Sequence, residues 1–259
     1  MTSTSRVASL MVALSFGVAS VAAAQATAPA SSAAAPAAAV KNSPWSVEVG
    51  LGFDNSISGN INSSGIGHLQ GQAAAITKNT YESVYGTGLH LRFGGGYKLD
   101  DTLEVRATFS FQSLDADLAP MGDLGVSRLY AQYDDYQDFT LDVGLRRYHR
   151  RSPRVQTYGE ATIGVGFIND LNVQFVAPGA NLANYNSDFY DQTAAFAVGG
   201  NVGVLFETSP RVGVFGQLGV RWVSGMSAVD DLQGTGLETI NDKSARWTVP
   251  FLVGVRVGF

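Results

Sequence analysis

From residue 45 to the end of the chain, apolar and polar positions alternate with a period of two, the pattern of strands buried on one face. In WSVEVGLGF the odd positions Trp45, Val47, Val49, Leu51 and Phe53 are apolar, while Ser46, Glu48, Gly50 and Gly52 take the other side. The same grammar recurs in 85–99, 102–113 and 139–148, then in 155–168, 193–206, 211–223 and 246–259. Eight segments of about ten residues are the signature of a transmembrane β-barrel. Three connections are short and rich in turn formers, near 100, at 149–154 and at 208–211. Four are long: 54–84, 115–137, 169–192 and 224–245. Tight turns at one end and long loops at the other predict an all-β fold, an eight-stranded antiparallel up-and-down transmembrane β-barrel over 45–259. VSRLYAQY (126–133) reads as an outward extension of the fourth strand, on the parity of Leu129, Ala131 and Tyr133. Pro250 donates no ladder hydrogen bond and predicts a bulge near the outer rim.

Alternation alone fits a soluble barrel equally well, with the apolar face inward. Volume separates the two. The apolar faces carry roughly 40 large residues, and an eight-stranded barrel has an interior only just wide enough for side chains. The polar faces are crowded with glycine, among them Gly50, Gly52, Gly94, Gly96, Gly164, Gly199, Gly203 and Gly254. Small residues suit a narrow bore, so the apolar face points into lipid. Aromatic residues then fall at both ends of the band, with Trp45, Tyr97, Phe206 and Phe259 at the turn end. Phe53, Tyr85, Trp222 and Trp247 mark the loop end, with Phe111 and Phe167. Amphipathic rings favour the two membrane interfaces. The eight steps from Trp45 to Phe53, tilted as in a barrel, span roughly 20 Å, close to the apolar height of a bilayer.

The closing run WTVPFLVGVRVGF ends on a bare aromatic that belongs to the apolar series itself. In this the chain resembles the small outer-membrane β-barrel proteins of the OmpA/OmpX type, over residues 45 to 259. The resemblance implies a place in the cell outer membrane, among its lipid and lipopolysaccharide. It also implies a C-terminal strand, ending in Phe259, that the outer-membrane assembly machinery reads. It does not fix an activity, because that fold hosts adhesins, narrow channels and lipid-modifying enzymes.

The first residues change the picture only by adding export. Arg6, an apolar stretch over 7–21 and the alanines at 22–24 predict a signal peptide over 1–24. An Ala/Pro-rich lead-in over 25–44 has nothing to bury and is expected to be disordered. Cysteine is absent, which removes disulfides, a lipid-anchoring cysteine and thiolate metal sites. A net charge of −5 argues against nucleic acid. No cofactor is expected.

The bore is predicted to hold Glu48, Glu104, Asp142 and Glu160 with Arg92, Arg106, Arg146, Arg221, Arg256 and His90. Charges inside a narrow lumen should pair. Two readings stay open: a salt-bridged plug, or a gated or narrow ion path. Among the histidines, His68 falls in a long loop, His90 in the bore, and His149 at a short turn three residues from Ser152. None sits in a recognisable motif, so no catalytic residue and no metal ligand is assigned. The long loops carry fourteen Asp or Glu against Lys78, Arg128 and Lys243, and read as an adaptable, solvated surface. Their pairs Asp115/Asp117, Asp134/Asp135 and Asp230/Asp231 lack calcium-loop spacing. Arg147, Arg150, Arg151 and Arg154 make the opposite rim basic, suited to anionic head groups. The expected function is envelope structure or surface interaction, with a porin-like narrow channel as the alternative and the surface ligand unknown.

Overall fold

The chain threads through its strands in the order β1 (Trp45–Asn62), β2 (Gly65–Leu69), β3 (Gln72–Ile76) and β4 (Asn79–Thr80), then the single helical turn α1 (Tyr81–Val84). There follow β5 (Gly88–Lys98), β6 (Leu103–Leu114), β7 (Ala119–Leu124), β8 (Ser127–Tyr133), β9 (Tyr136–Arg150) and β10 (Val155–Ile168). The chain closes with β11 (Leu171–Val176), β12 (Tyr185–Asp191), β13 (Thr193–Glu207), β14 (Val212–Val223), β15 (Ser227–Ala228) and β16 (Arg246–Gly258). The computed structural model describes residues 43–180, 185–242 and 244–259. The expected signal peptide, the lead-in up to residue 42, and Lys243 lie outside the described residues.

Eight long strands form one antiparallel barrel in the order β16-β14-β13-β10-β9-β6-β5-β1, closed by pairing of β16 with β1. At that seam Val47 faces Val257, Glu48 faces Arg256 and Leu51 faces Val253. Closure leaves the eight-stranded sheet no free edge, which a sheet in hydrocarbon requires. Along β1 the side chains alternate strictly, with Trp45, Val47, Val49, Leu51 and Phe53 exposed and Ser46 and Glu48 buried. The other barrel strands repeat this, exposing Leu141, Val143, Val165, Val202, Leu218 and Val253. Such a band is stable only against lipid. Replacing Leu141, 56% exposed at mid-band, with Arg is expected to cost about 2–4 kcal/mol of folding stability in vesicles. Leu118, 53% exposed but in the connection between β6 and β7, should tolerate the same change within about 0.5 kcal/mol. Urea titrations of the two variants test sidedness directly.

The long loops depart from expectation. They do not form a solvated fringe but a second, seven-stranded sheet in the order β15-β12-β11-β8-β7-β3-β2, folded around an apolar core that it shares with the upper ends of the barrel strands. Ile61, Leu69, Leu114, Met121, Leu129, Phe175 and Phe189 are fully buried there. The reason is local alternation too short to register as a membrane strand: Leu171, Val173 and Phe175 point inward while Asn172 and Gln174 point out. The four-residue turn α1 is fixed by a reciprocal cap, in which Ser83 N–H donates to Thr80 Oγ1 and Thr80 N–H to Ser83 Oγ.

Three finer expectations are corrected. Residues 127–133 are not an extension of the fourth barrel strand but the separate strand β8, paired with β7 and β11. Asp134 and Asp135 interrupt the ladder, so Leu129, Ala131 and Tyr133 face the upper core although the odd residues of β9 face lipid. Pro250 induces no bulge in β16. The β14–β16 ladder lapses beside it and resumes in the same register at Arg221 opposite Thr248. The bulge lies instead on β1, between Ser56 and Ser58. Finally, Tyr85 is not in the lipid-facing girdle: it is buried in the upper core, where its hydroxyl donates to the Asp134 carbonyl at 3.0 Å. Its position follows α1 rather than a barrel strand.

Candidate functional site: the sealed lumen and its cap

The inward positions of the barrel strands bring six carboxylates and six guanidinium groups into the bore. Toward the turn end, Glu48 of β1, Glu104 of β6 and Glu160 of β10 meet Arg92 of β5, Arg106 of β6, Arg146 of β9 and Arg256 of β16. Arg146 Nη1 lies 2.6 Å from Glu48 Oε1, and its Nη2 lies 2.7 Å from Glu160 Oε2. Arg106 Nη2 reaches Glu48 at 2.7 Å, while Arg256 bridges Glu48 at 3.1 Å and Glu104 at 2.6 Å. Arg92 closes onto Glu160 from the other side. The guanidinium of Arg146 also stacks 4.0 Å from the Tyr158 ring centre. Forks that donate in several directions suit this crossing of carboxylates better than a lysine point charge.

Nearer the cap a second cluster forms. Arg246 donates to Gln112 Oε1 at 2.7 Å and to Asp138 Oδ2 at 3.0 Å, and lies 3.9 Å from the Tyr136 ring centre. Asp54 accepts from the Thr248 hydroxyl at 3.1 Å, with His90 Nδ1 at 4.0 Å. Asp142 and Arg221 approach to 3.9 Å. Between the clusters lies a polar cavity of about 30 Å³, lined by residues that include His90, Arg92, Asn201, Gln217 and Arg221. That volume suits a water or two.

Both ends of the bore are closed. At the turn end Tyr148, Tyr158, Leu205 and Phe215 pack together, the two tyrosine rings 5.8 Å apart and edge to face. Glycine makes the room: a Cβ on Gly203 would sit 2.3 Å from Tyr158 Cζ, and one on Gly254 would sit 2.6 Å from the Phe215 ring. At the cap end Tyr81, Tyr85 and Tyr136 form a mutually packed triad with ring centres about 6 Å apart. Each buried phenol there has an oxygen to donate to. Tyr81 reaches the Ser244 carbonyl at 3.0 Å, Tyr133 reaches Asn62 Oδ1 at 2.8 Å, and Tyr190 reaches the Ile61 carbonyl at 2.6 Å. Burial pushes the pKa values of Tyr81, Tyr85, Tyr133 and Tyr190 up, so these four cap phenols stay neutral through the physiological range. At the exposed turn before β6 the opposite holds: the Thr102 N–H, donating at 2.6 Å, lowers the Asp100 pKa.

All ten charged residues expected in the bore are there, but in different roles. Seven belong to the lower cluster, whereas Asp142, Arg221 and His90 lie apart from it around the cavity. Both imidazole nitrogens of His90 are buried without a hydrogen-bond partner. Sequence reading missed Asp54, Asp138, Arg246, Tyr148 and Gln112. The signal that finds them is parity: Asp138 continues the inward series of Thr140 and Asp142, and Arg246 continues that of Thr248. In the outer girdle, Trp45 packs edge-on against Tyr97 at 4.8 Å and Trp222 pairs with Trp247 across the ladder. Phe53, Phe206 and Phe259 are exposed on the outer face. Among the described residues no group of three or more His, Asp or Glu is placed to hold a metal ion.

No protein-family model and no curated protein matches the chain. Among solved structures it is similar to Neisserial surface protein A, at 14% identity over 84% of this chain and 98% of that one, with a TM-score of 0.46. It is similar to a major outer membrane protein from Thermus thermophilus at 18% identity, over 83% and 98% of the chains, with a TM-score of 0.47. It also resembles the outer membrane protease OmpT from Escherichia coli, at 10% identity over 85% and 99%, with a TM-score of 0.40. The closed eight-stranded barrel and its apolar exterior are the architecture of a small transmembrane β-barrel, the fold these structures share.

Proposed function

We propose that the protein is a non-conducting barrel that serves envelope structure and presents its folded cap for surface interaction. The observation that carries this reading is the obstructed bore. A solute entering from outside would meet the cap core, then the Tyr81–Tyr85–Tyr136 triad, then two ion-pair clusters, then the Tyr148–Tyr158–Phe215 lid. Moving it through requires breaking charge pairs whose members are buried in the bore. Purified protein in a planar bilayer should therefore show no stable conductance steps. Reproducible single-channel openings by the unmodified chain would favour the alternative, a porin-like conduit, and sink this reading.

A catalytic role finds little support. The imidazole of His90 has no hydroxyl in hydrogen-bond contact, and His68 and His149 are exposed, with no imidazole hydrogen bond to a nucleophile among the described residues. Lipid and lipopolysaccharide are the proposed surroundings of the exposed apolar band. The C-terminal strand is the proposed recognition segment for assembly, with Phe259 exposed and its N–H donating to the Trp45 carbonyl at 3.1 Å. Crosslinking from position 259 during insertion tests that role, and an absence of any adduct with the assembly machinery would refute it.

A further inference from the structure

The outward face of the upper sheet carries a feature that neither membrane anchoring nor cap packing explains. Strands β8, β11 and β12 lie side by side, and their register lines up Gln132, Gln174 and Asn186 in one row. Asp134, Asn172 and Asp188 form the next row, with Asp134 N–H donating to the Asn172 carbonyl at 3.0 Å. The alternate residues Val173, Phe175, Ser187 and Phe189 are buried beneath. These six amide and carboxylate side chains alone line a groove of about 380 Å³.

Part of the groove is fixed and part is free. Asp134 Oδ2 accepts from the Asn172 backbone N–H at 3.1 Å and from its side-chain amide at 2.9 Å, and Gln132 Nε2 donates to the Ala116 carbonyl at 3.1 Å. Among the described residues, the side chains of Gln174, Asn186 and Asp188 are committed to no intramolecular hydrogen bond. Adjacent strands are about 4.8 Å apart, so one row spans about 10 Å, and the two rows stand roughly 6.6 Å apart along the strands. Each free amide offers both a donor and an acceptor on one rigid plane, and each carboxylate offers acceptors only. That set matches vicinal hydroxyls, which give and take hydrogen bonds at once. Among the described residues no cation lines the groove, and Asp231, whose Oδ2 accepts from the Asp188 N–H at 3.2 Å, adds a third negative charge beside it. A sulfated, phosphorylated or carboxylated ligand would be repelled there.

We propose that this groove binds the hydroxyl face of a neutral saccharide. The inference deepens the surface-interaction reading and rests on it only for the outward exposure of the cap. Two sources share the chemistry: neutral glycans of bacterial lipopolysaccharide, and neutral glycans of another organism's surface. Saturation-transfer NMR on the full chain in nanodiscs distinguishes them with two probes, a neutral O-polysaccharide fragment and a desialylated mammalian N-glycan. A heparin oligosaccharide serves as the anionic control. Transfer to at least one neutral probe is expected, with none to heparin. The probe that responds names the source, and response of both supports the shared chemistry. The double variant Gln174→Ala/Asn186→Ala, both positions at the surface, should bind at least fivefold more weakly. Val126→Ala, fully exposed elsewhere on the cap, should bind as the unmodified chain does. Silence from both neutral probes, preference for heparin, or undiminished binding by the double variant would overturn the proposal. None of these results depends on conductance, so a silent groove leaves the closed-lumen reading standing, and an open pore leaves the groove standing.

Discussion

Replacing Arg146 with Ala is expected to lower the unfolding free energy by about 3–5 kcal/mol, the usual consequence of removing one partner from a buried charge network. Arg146 is wholly buried and holds Glu48 and Glu160 together from opposite sides. Its loss leaves a cavity between Tyr148 and Tyr158 and removes the central donor from two buried carboxylates. Arg92, Arg106 and Arg256 still reach those carboxylates, which keeps the effect from being larger. Arg146→Lys should recover only part of the loss, because an ammonium cannot span both acids with fixed forks. The exposed pair Arg128–Asp123, 3.3 Å apart on the cap surface, supplies the contrast: Arg128→Ala should cost less than about 1 kcal/mol. Urea unfolding in vesicles, followed by tryptophan fluorescence, measures all three. Equal losses for Arg146→Ala and Arg128→Ala would mean that the lumen network contributes nothing special.

The second large effect belongs to the cap. Phe189 is fully buried and packs against Tyr133 and Tyr190, with ring centres 5.9 and 5.1 Å away. Phe189→Ala should cost about 3–5 kcal/mol, the range for deleting a buried aromatic. The cost is expected to fall on one part of the molecule. The upper sheet pairs its own strands, and its core touches only the upper ends of the barrel strands, through Leu114, Ile168, Ala197 and Val223, so it should open as a cooperative unit while the barrel stays closed. Hydrogen exchange separates the possibilities. Amides of β8, β11 and β12 should exchange much faster in the variant, and those of β9, β10 and β13 should be unchanged. Uniform acceleration across both sheets would show that cap and barrel unfold as one.

The barrel was legible because bilayer and bore impose opposite demands on adjacent residues for ten positions at a time. Trp45 to Phe53 shows this in its plainest form, and the structure follows it residue by residue. The charged bore was legible for the same reason, as at Glu48, Arg146 and Glu160. It was lost at Asp54 and Asp138, where the count stopped at an assumed membrane boundary, and at Arg246, which falls on the polar face of the last strand but was not counted among the bore charges. The cap was hidden by scale. Strands of five or six residues such as β2 and β11 alternate too briefly to stand out from loop sequence rich in Asn, Asp and Gly. Its inward aromatics also derive their burial from partners far away in sequence. Tyr190, for example, is anchored to the carbonyl of Ile61, 129 positions earlier. No local pattern reports a contact of that span. Tyr85 illustrates the same failure in reverse: its ring was assigned to the membrane edge by proximity to β5, whereas α1 turns it under the cap.

The pairing of Glu48 with Arg256 across the first and last strands has a bearing on biogenesis. The acids and bases of the lower cluster are contributed by β1, β5, β6, β9, β10 and β16, and Arg92, Glu160 and Arg256 find their partners only across the divide between the first four barrel strands and the last four. A partly inserted sheet would present unmatched ions to hydrocarbon. Productive insertion must therefore keep the growing sheet's concave side hydrated until its two ends meet, and the final zippering would expel that water and commit the molecule in a single step.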